Sequence, residues 1–347
     1  MWQRPAADEM TRPTPSKTVA VIGAGLAGLA CAQRLQASGL AVTLFEQGDV
    51  PGGRMRSCGG DGWQCDHGAQ YFTARDRAFA AVVEAWIARG VAAVWPARVA
   101  SWDGADMRAS HGGLTRFVGV PDMAAPARAL AAALNVRLGS SVRSLQREGD
   151  TWQLEVAEDA TTRSCCFDTV LLAVPAPLAA TLLADIAPTL ATLAAGARMQ
   201  PAWAVVARFD MPVDPGYDAL FVNAGPLRWA ARNSSKPGRE GVGTWLLHAT
   251  ADWSRANLDA TPETVIARVL PALAALGLPL PQSCDAYRWT VASTDPALQI
   301  GCAWEARLGI GICGDWLAGG KVEGAWQSGV ALARRVCAGD AACSGQD

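Results

Sequence analysis

The run Gly23-Ala24-Gly25-Leu26-Ala27-Gly28 constrains this chain more than any other feature. It follows a short apolar, β-branched stretch, Thr18 to Ile22, which reads as a buried strand. It opens a stretch from Leu26 to Ser38 with apolar residues at helical spacing, stopped by Gly39. A second apolar stretch, Val42 to Phe45, ends in Glu46. Strand, glycine turn, helix and strand make a β-α-β unit. The three glycines have separate tasks. Gly23 permits the tight turn, Gly25 lets a pyrophosphate approach the backbone, and Gly28 lets helix and strand pack closely. The helix start at Leu26 and Ala27 offers free N–H groups and a partial positive charge to that pyrophosphate. Glu46, with Gln47 beside it, can accept the hydroxyls of a ribose. A dinucleotide-binding domain is expected.

The rest of the composition narrows the class. At roughly 150 residues per domain, 347 residues suggest two domains. With 18% charged and 50% hydrophobic residues the chain has ample surface to bury a core, which excludes disorder throughout. A net charge of −2 supplies no basic field for a nucleic acid. The sequence holds no apolar run of membrane-spanning length that is free of glycine and charge. Ten cysteines contain no C-x-x-C pair, and His67, His111 and His248 are far apart, so no metal is expected. Scattered thiols fit a reducing cytoplasm. Lys17, the run from Val19 to Ala30, and Cys31 have the outline of a lipoprotein signal, but Gly23, Gly25, Gly28 and the following strand argue against it. Residues 1–16, with Pro5, Pro13 and Pro15, and residues 339–347 read as flexible ends.

Further along, helices are expected over residues 78–89, 126–134, 176–198, 261–276 and 324–335, the fourth with Thr261 as N-cap and Pro262 at its first position. Strands are expected within 91–107. Three short runs at 136–138, 142–146 and 152–156 suggest a meander. A buried strand is expected over 168–174 and another over 308–313. Residues 202–209, 229–233 and 244–249 read as a second sheet.

Just beyond Glu46 comes Pro51-Gly52-Gly53-Arg54-Met55-Arg56-Ser57. This extended pattern resembles the FAD-binding two-dinucleotide-fold flavoproteins more than NAD dehydrogenases. Gly52 and Gly53 allow close backbone approach, Arg54 can meet the second side of the pyrophosphate, and Met55 joins the expected cofactor contacts. At the far end, Gly314-Asp315 follows a strand, a placement which in such folds puts the acid on the flavin ribityl or phosphate region. Lys321-Val322-Glu323-Gly324-Ala325 then opens the last helix, whose N–H groups can face the flavin N1–C2=O edge. Gly68, Ala69, Gln70, Val142 and Ala173 complete the expected cofactor set. The expected fold is α/β in two domains. A Rossmann-like FAD-binding domain comprises residues 17–75, 130–197 and 302–338. A mixed or antiparallel-sheet substrate domain, 76–129 and 198–301, is inserted within it, as in amine oxidases and p-hydroxybenzoate hydroxylase.

Asp66-His67-Gly68-Ala69-Gln70-Tyr71-Phe72-Thr73-Ala74-Arg75-Asp76-Arg77, Gly314-Asp315-Trp316, Val322-Glu323-Gly324-Ala325-Trp326, and Trp245-Leu246-Leu247-His248-Ala249-Thr250 followed by Trp253-Ser254-Arg255 are similar to the bacterial renalase family of amine-oxidase-like flavoproteins. The resemblance covers Lys17 to about Arg335. It implies non-covalent FAD, O2 as acceptor, and oxidation of 1,2- and 1,6-dihydro isomers of NAD(P) to the normal nucleotide with release of H2O2. Hydride would pass to flavin N5 with no general base. Gln70, Tyr71, His248 and Lys321 are the candidate catalytic residues, with Trp289 as a further substrate-side candidate. Asp66 and His67 would shape a turn near the flavin.

Related amine oxidases carry a tyrosine where this chain has Lys321, and a cation there suits an anionic nucleotide better than an ammonium. They also use a lysine beside flavin N5. Here Lys17 starts a strand and Lys236 sits in a Ser-Ser-Lys-Pro-Gly turn, so that device is expected to be missing. The expected partners are a small-molecule dihydronicotinamide nucleotide and O2, with no nucleic acid and no membrane, in a monomer or weak homodimer. Alternatives are a flavin amine oxidase or desaturase acting on a small substrate, and a non-catalytic escort protein of the same fold.

Overall fold

The structure is a computed structural model, and it describes residues 17–343 apart from 111–112, 159–160 and 242. The arm 1–16, His111 and the last residues of the tail lie outside the described residues.

Two sheets organise the chain. The first has six strands in the order Cys302–Glu305, Ile310–Cys313, Thr169–Leu172, Thr18–Ile22, Ala41–Phe45, Asn135–Arg137. The last five run parallel, and Cys302–Glu305 is an antiparallel edge. A parallel sheet is covered on both faces, and its central strands here are buried nearly throughout. Alternation sorts the side chains between the two faces. Val19 and Val21 join the core under the helix Leu26–Ala37 and the closing helix Val322–Cys343. Ala20 and Ile22 join Trp152, Leu154, Leu182 and Leu190 on the other side.

The meander on that second face differs from the expectation. It consists of Ser140–Glu148, Thr151–Glu158 and Thr161–Phe167. Residues 135–137 pair instead with Ala41–Phe45 in the parallel sheet. A short apolar run reads alike in either sheet, and Thr161–Phe167 is too polar and exposed to show a strand pattern. The long helix expected over 176–198 is two helices, Ala176–Leu183 and Pro188–Ala195. Pro188 can begin a helix but cannot continue one. The closing helix runs from Val322 to Cys343, beyond the expected end at Arg335 and into the segment read as a flexible tail.

The second sheet has seven strands in the order Ser283–Thr294, Met199–Arg208, Thr244–Ala249, Leu227–Arg232, Ala219–Val222, Val99–Trp102, Met107–Ala109. The first and fifth of these were not visible in the sequence pattern. Trp203, Trp245 and Leu247 form its core with Val265, Val269 and Leu273 of the helix Pro262–Ala275. Thr261 caps that helix as expected, its side chain accepting from the Thr264 N–H. The strands of the six-stranded sheet thus come from residues 18–172 and 302–313, and those of the seven-stranded sheet from 99–109 and 199–294.

Candidate active site

A cavity of about 620 Å³ is lined by residues of both sheets. Of the residues expected at the cofactor, all but Gly28 and Gly324 line it, as do Gln70, Tyr71, His248, Lys321 and Trp289. The two exceptions are packing residues. A Cβ on Gly28 would lie 2.0 Å from the Gly23 carbonyl oxygen, and one on Gly324 would lie 1.6 Å from that of Ala318. Gly324 borders a separate cleft of about 400 Å³.

The dinucleotide end fits FAD. Gly23 has φ +101, and a Cβ there would meet the Ala173 carbonyl oxygen at 2.6 Å, so only glycine makes this turn. A Cβ on Gly25 would meet no protein atom within 4 Å, so this side of the turn is open space. Gly25 is the N-cap of Leu26–Ala37 and supplies no side-chain cap. The free N–H groups of the helix start and the open face at Gly25 are what a pyrophosphate requires. Glu46 does more than expected. Its carboxylate accepts from the Ala24 N–H and the Gly48 N–H, each at 2.8 Å, and so staples the glycine turn. Each oxygen keeps a lone pair for a ribose hydroxyl.

Arg54 and Asp315 were expected to bind the cofactor separately. In the structure they bind each other: Nη1 donates to Oδ2 at 3.1 Å and Nη2 to Oδ1 at 2.5 Å. Arg54 Nη1 also reaches the Ala292 carbonyl at 3.3 Å. This two-pronged pair clamps the Gly-Gly-Arg loop to the far end of the chain. Glu323 acts likewise, accepting from the backbone N–H groups of Arg75 (2.7 Å) and Asp76 (2.6 Å).

Gln70 borders the cavity with its amide already engaged. Nε2 donates to the Asp66 carbonyl (2.5 Å) and the Gly68 carbonyl (3.1 Å), and Oε1 accepts from Lys236 Nζ (3.2 Å). Both of its amide protons are thus held by backbone carbonyls. Behind it lies a cluster that the sequence reading missed. The side chains of Asp66, Lys236 and Arg239 are all 0% exposed. Asp66 Oδ2 accepts from Lys236 Nζ at 2.9 Å and from Arg239 Nη2 at 2.7 Å; Asp66 Oδ1 takes the Ser57 hydroxyl and the Met123 N–H. Burial alone would push the Asp66 carboxyl up, but Lys236 and Arg239 override it and hold it at about 2. Burial pulls the Lys236 ammonium below its usual range. Lys236 is thus no solvated turn lysine, although it does not line the cavity itself.

His248 and Trp289 converge on one atom. His248 Nε2 lies 3.2 Å and Trp289 Nε1 3.1 Å from the His67 carbonyl oxygen. The His67 ring stacks on Tyr287 and Trp289, with centroids 4.6 and 5.2 Å away. Burial, assisted by Arg56, lowers His67 to about 4; burial, assisted by Arg228 and Lys236, does the same to His248. Both imidazoles are neutral at pH 7. In the unfolded chain they take a proton below about 6.5, whereas the folded protein resists until about 4. Stability should therefore fall as the pH drops from about 6.5 toward 4. Denaturant midpoints at pH 7 and 5 should show that loss, and His248→Gln should reduce the slope; an unchanged slope in the variant would contradict the assignment.

Tyr71, Phe221 and Trp229 form an aromatic wall of the cavity, with the Trp229 ring centroid 5.6 Å from that of Tyr71 and 4.8 Å from that of Phe221. Phe221, Arg228, Trp229 and Val291 to Ser293 also line the cavity and were not singled out from sequence. The strand of Arg228 and Trp229 was expected over 229–233, whereas those of Phe221 and of Val291 to Ser293 could be recognised only through the second sheet's pairing. Among the described residues no group of three or more metal-ligating side chains comes together, and no helix is long and apolar enough to cross a membrane.

Comparison with known proteins agrees with this construction. Residues 21–86 match the NAD(P)-binding Rossmann-like domain, and residues 86–337 match the flavin containing amine oxidoreductases. Hydroxyneurosporene desaturase of Rubrivivax gelatinosus is 45% identical over 75 residues, which are 21% of this chain and 14% of that protein. Mitochondrial protoporphyrinogen oxidase of Nicotiana tabacum is 46% identical over 69 residues, 20% of this chain and 14% of that protein. The matched part spans about a seventh of the length of these curated relatives. Cyclohexylamine oxidase of Brevibacterium oxydans IH-35A superposes with a TM-score of 0.71 at 14% identity, over 93% of this chain and 99% of that one, which establishes a shared fold. With the glycine turn in one matched region and the Gly-Asp and closing helix in the other, the chain belongs to the flavin containing amine oxidoreductase family and its cofactor is FAD.

Proposed function

We propose that this protein is a renalase-like oxidase that removes hydride from 1,2- and 1,6-dihydro isomers of NAD(P), with O2 as acceptor and H2O2 and NAD(P)⁺ as products. The observation that carries this reading is the state of the carboxylates lining the cavity. They are Glu46, Asp315 and Glu323. Glu46 lies at the glycine turn, Asp315 is paired with Arg54, and Glu323 is bonded to two backbone N–H groups. Each of these carboxylates already accepts from protein donors, while Lys321 and Arg228 favour an anion over an ammonium.

FAD, when bound, supplies the two-electron acceptor. The chain's part is to orient and enclose. Tyr71, Phe221, Trp229 and Trp289 offer faces on which a planar dihydropyridine stacks. His67 and His248 stay neutral and fix the floor of the site. No proton need be taken from the carbon, since hydride loss alone aromatises the ring. Among the described residues no cysteine lines the cavity, so attachment through a thiol has no candidate, and non-covalent FAD is our reading. The nine cysteines whose side chains are described are all free thiols, which favours a reducing cytoplasmic location. Monomer or weak homodimer remains our reading of the assembly.

The test is anaerobic mixing of the yellow holoprotein with dihydronicotinamide isomers and, separately, with simple amines. Rapid bleaching by the 1,2- or 1,6-dihydro isomers is expected. Bleaching by amines alone would establish the second reading, an amine oxidase or desaturase, which the aromatic lining also suits.

A further inference from the structure

Three cations line this cavity and a fourth lies against its aromatic wall. Arg75, Arg228 and Lys321 line it and are exposed. Arg116 is half-buried and holds its guanidinium carbon 5.2 Å over the Tyr71 ring. Among the described residues none of the four takes part in an ion pair, whereas Arg54 and Arg56, which also line the cavity, both do. Arg116 Nε is buried without any partner. The acid nearest in sequence to Lys321, Glu323, spends its Oε1 on backbone N–H groups, and Asp76 caps the helix Arg77–Ala88. In a chain of net charge −2, three exposed cations without an ion pair lining one cavity are not a by-product of general basicity. Gathering them costs mutual repulsion, which a bound anion relieves.

We propose that Arg75, Arg116, Arg228 and Lys321 form a subsite for the phosphate of a substrate whose planar ring stacks between the aromatic walls. The required ligand is then a phosphorylated aromatic compound, a nucleotide as opposed to a nucleoside or an amine. Guanidinium groups offer the paired donors that phosphate oxygens accept. This proposal rests on the oxidase reading for the identity of the ring, and on the cations alone for the phosphate.

The test uses the FAD-loaded protein and the change in flavin absorbance on binding. Oxidised nicotinamide mononucleotide, nicotinamide riboside and inorganic pyrophosphate are titrated at low and high salt, into the native protein and into Arg75→Gln/Arg228→Gln. The mononucleotide should bind about tenfold or more tighter than the riboside at low salt. That advantage should shrink at high salt and in the double variant. Pyrophosphate should compete with the mononucleotide and not with the riboside. Equal affinities, an advantage unchanged in the variant, or no phosphate-dependent absorbance change would overturn the subsite. The two proposals separate cleanly. If the dihydro riboside bleaches the flavin but phosphate adds no affinity, the subsite fails and the oxidase reading stands. If dihydro nucleotides leave the flavin oxidised while phosphate-dependent binding persists, the oxidase reading fails and the subsite stands.

Discussion

Replacing Asp66 with alanine should destabilise the fold by about 3–5 kcal/mol, the usual penalty for leaving buried charge without its partner. The substitution strands both Lys236 and Arg239, whose side chains are fully enclosed, and removes the acceptor for Ser57 and the Met123 N–H. Denaturant titration should show the loss directly; a change under about 1 kcal/mol would mean that water reaches the cluster. Lys236 can shed part of the strain by releasing its proton, because burial already disfavours its charged form. Lys236→Met added to Asp66→Ala should therefore recover stability, although as a single change it orphans the Gln70 carbonyl oxygen. The contribution also has a definite pH signature. The Asp66 carboxyl is lowered from 3.8 to about 2, so its stabilisation is fully present above about pH 4 and disappears as the pH falls toward 2.

Gly25→Val should abolish the yellow colour and leave the fold intact. Gly25 has φ −71 and ψ 174, which any residue adopts, and its Cβ would meet no protein atom. The side chain instead occupies the space expected for the pyrophosphate, and affinity for FAD should fall by about a hundredfold or more. Circular dichroism and denaturant midpoint of the apoprotein should match those of unsubstituted apoprotein. Gly28→Val is the control, since its Cβ collides with the Gly23 carbonyl and should lower both affinity and stability. A Gly25→Val protein that keeps its flavin would place the pyrophosphate elsewhere.

The dinucleotide unit was legible because its signals are local. Glycine spacing, flanking strands and the terminal Glu46 all fall within thirty residues, and each depends on backbone geometry that only certain residues permit. The far end of the site was legible for the same reason, through Gly314-Asp315 and the start of the closing helix. What escaped depends on distant partners. Lys236 sits in a string that reads as a solvated turn; its burial is decided by Asp66, 170 positions away. Arg54 and Asp315 each suited the cofactor separately, and only the fold shows that they face one another across 261 positions. The strand Ser283–Thr294 gains its place from pairing with Met199–Arg208, which leaves no apolar alternation on its own residues. Arg228 and Trp229 likewise matter because a strand turns them toward the cavity.

The division of the cofactor cradle between Gly23–Arg56 and Gly314–Ala325 has a consequence for synthesis. A ribosome delivers the glycine turn long before the closing helix. During that interval the first half of the grip is exposed with no second half to meet it. Flavin capture therefore has to await translation of the closing helix, and chains cut short before that helix should emerge colourless however well their earlier parts fold.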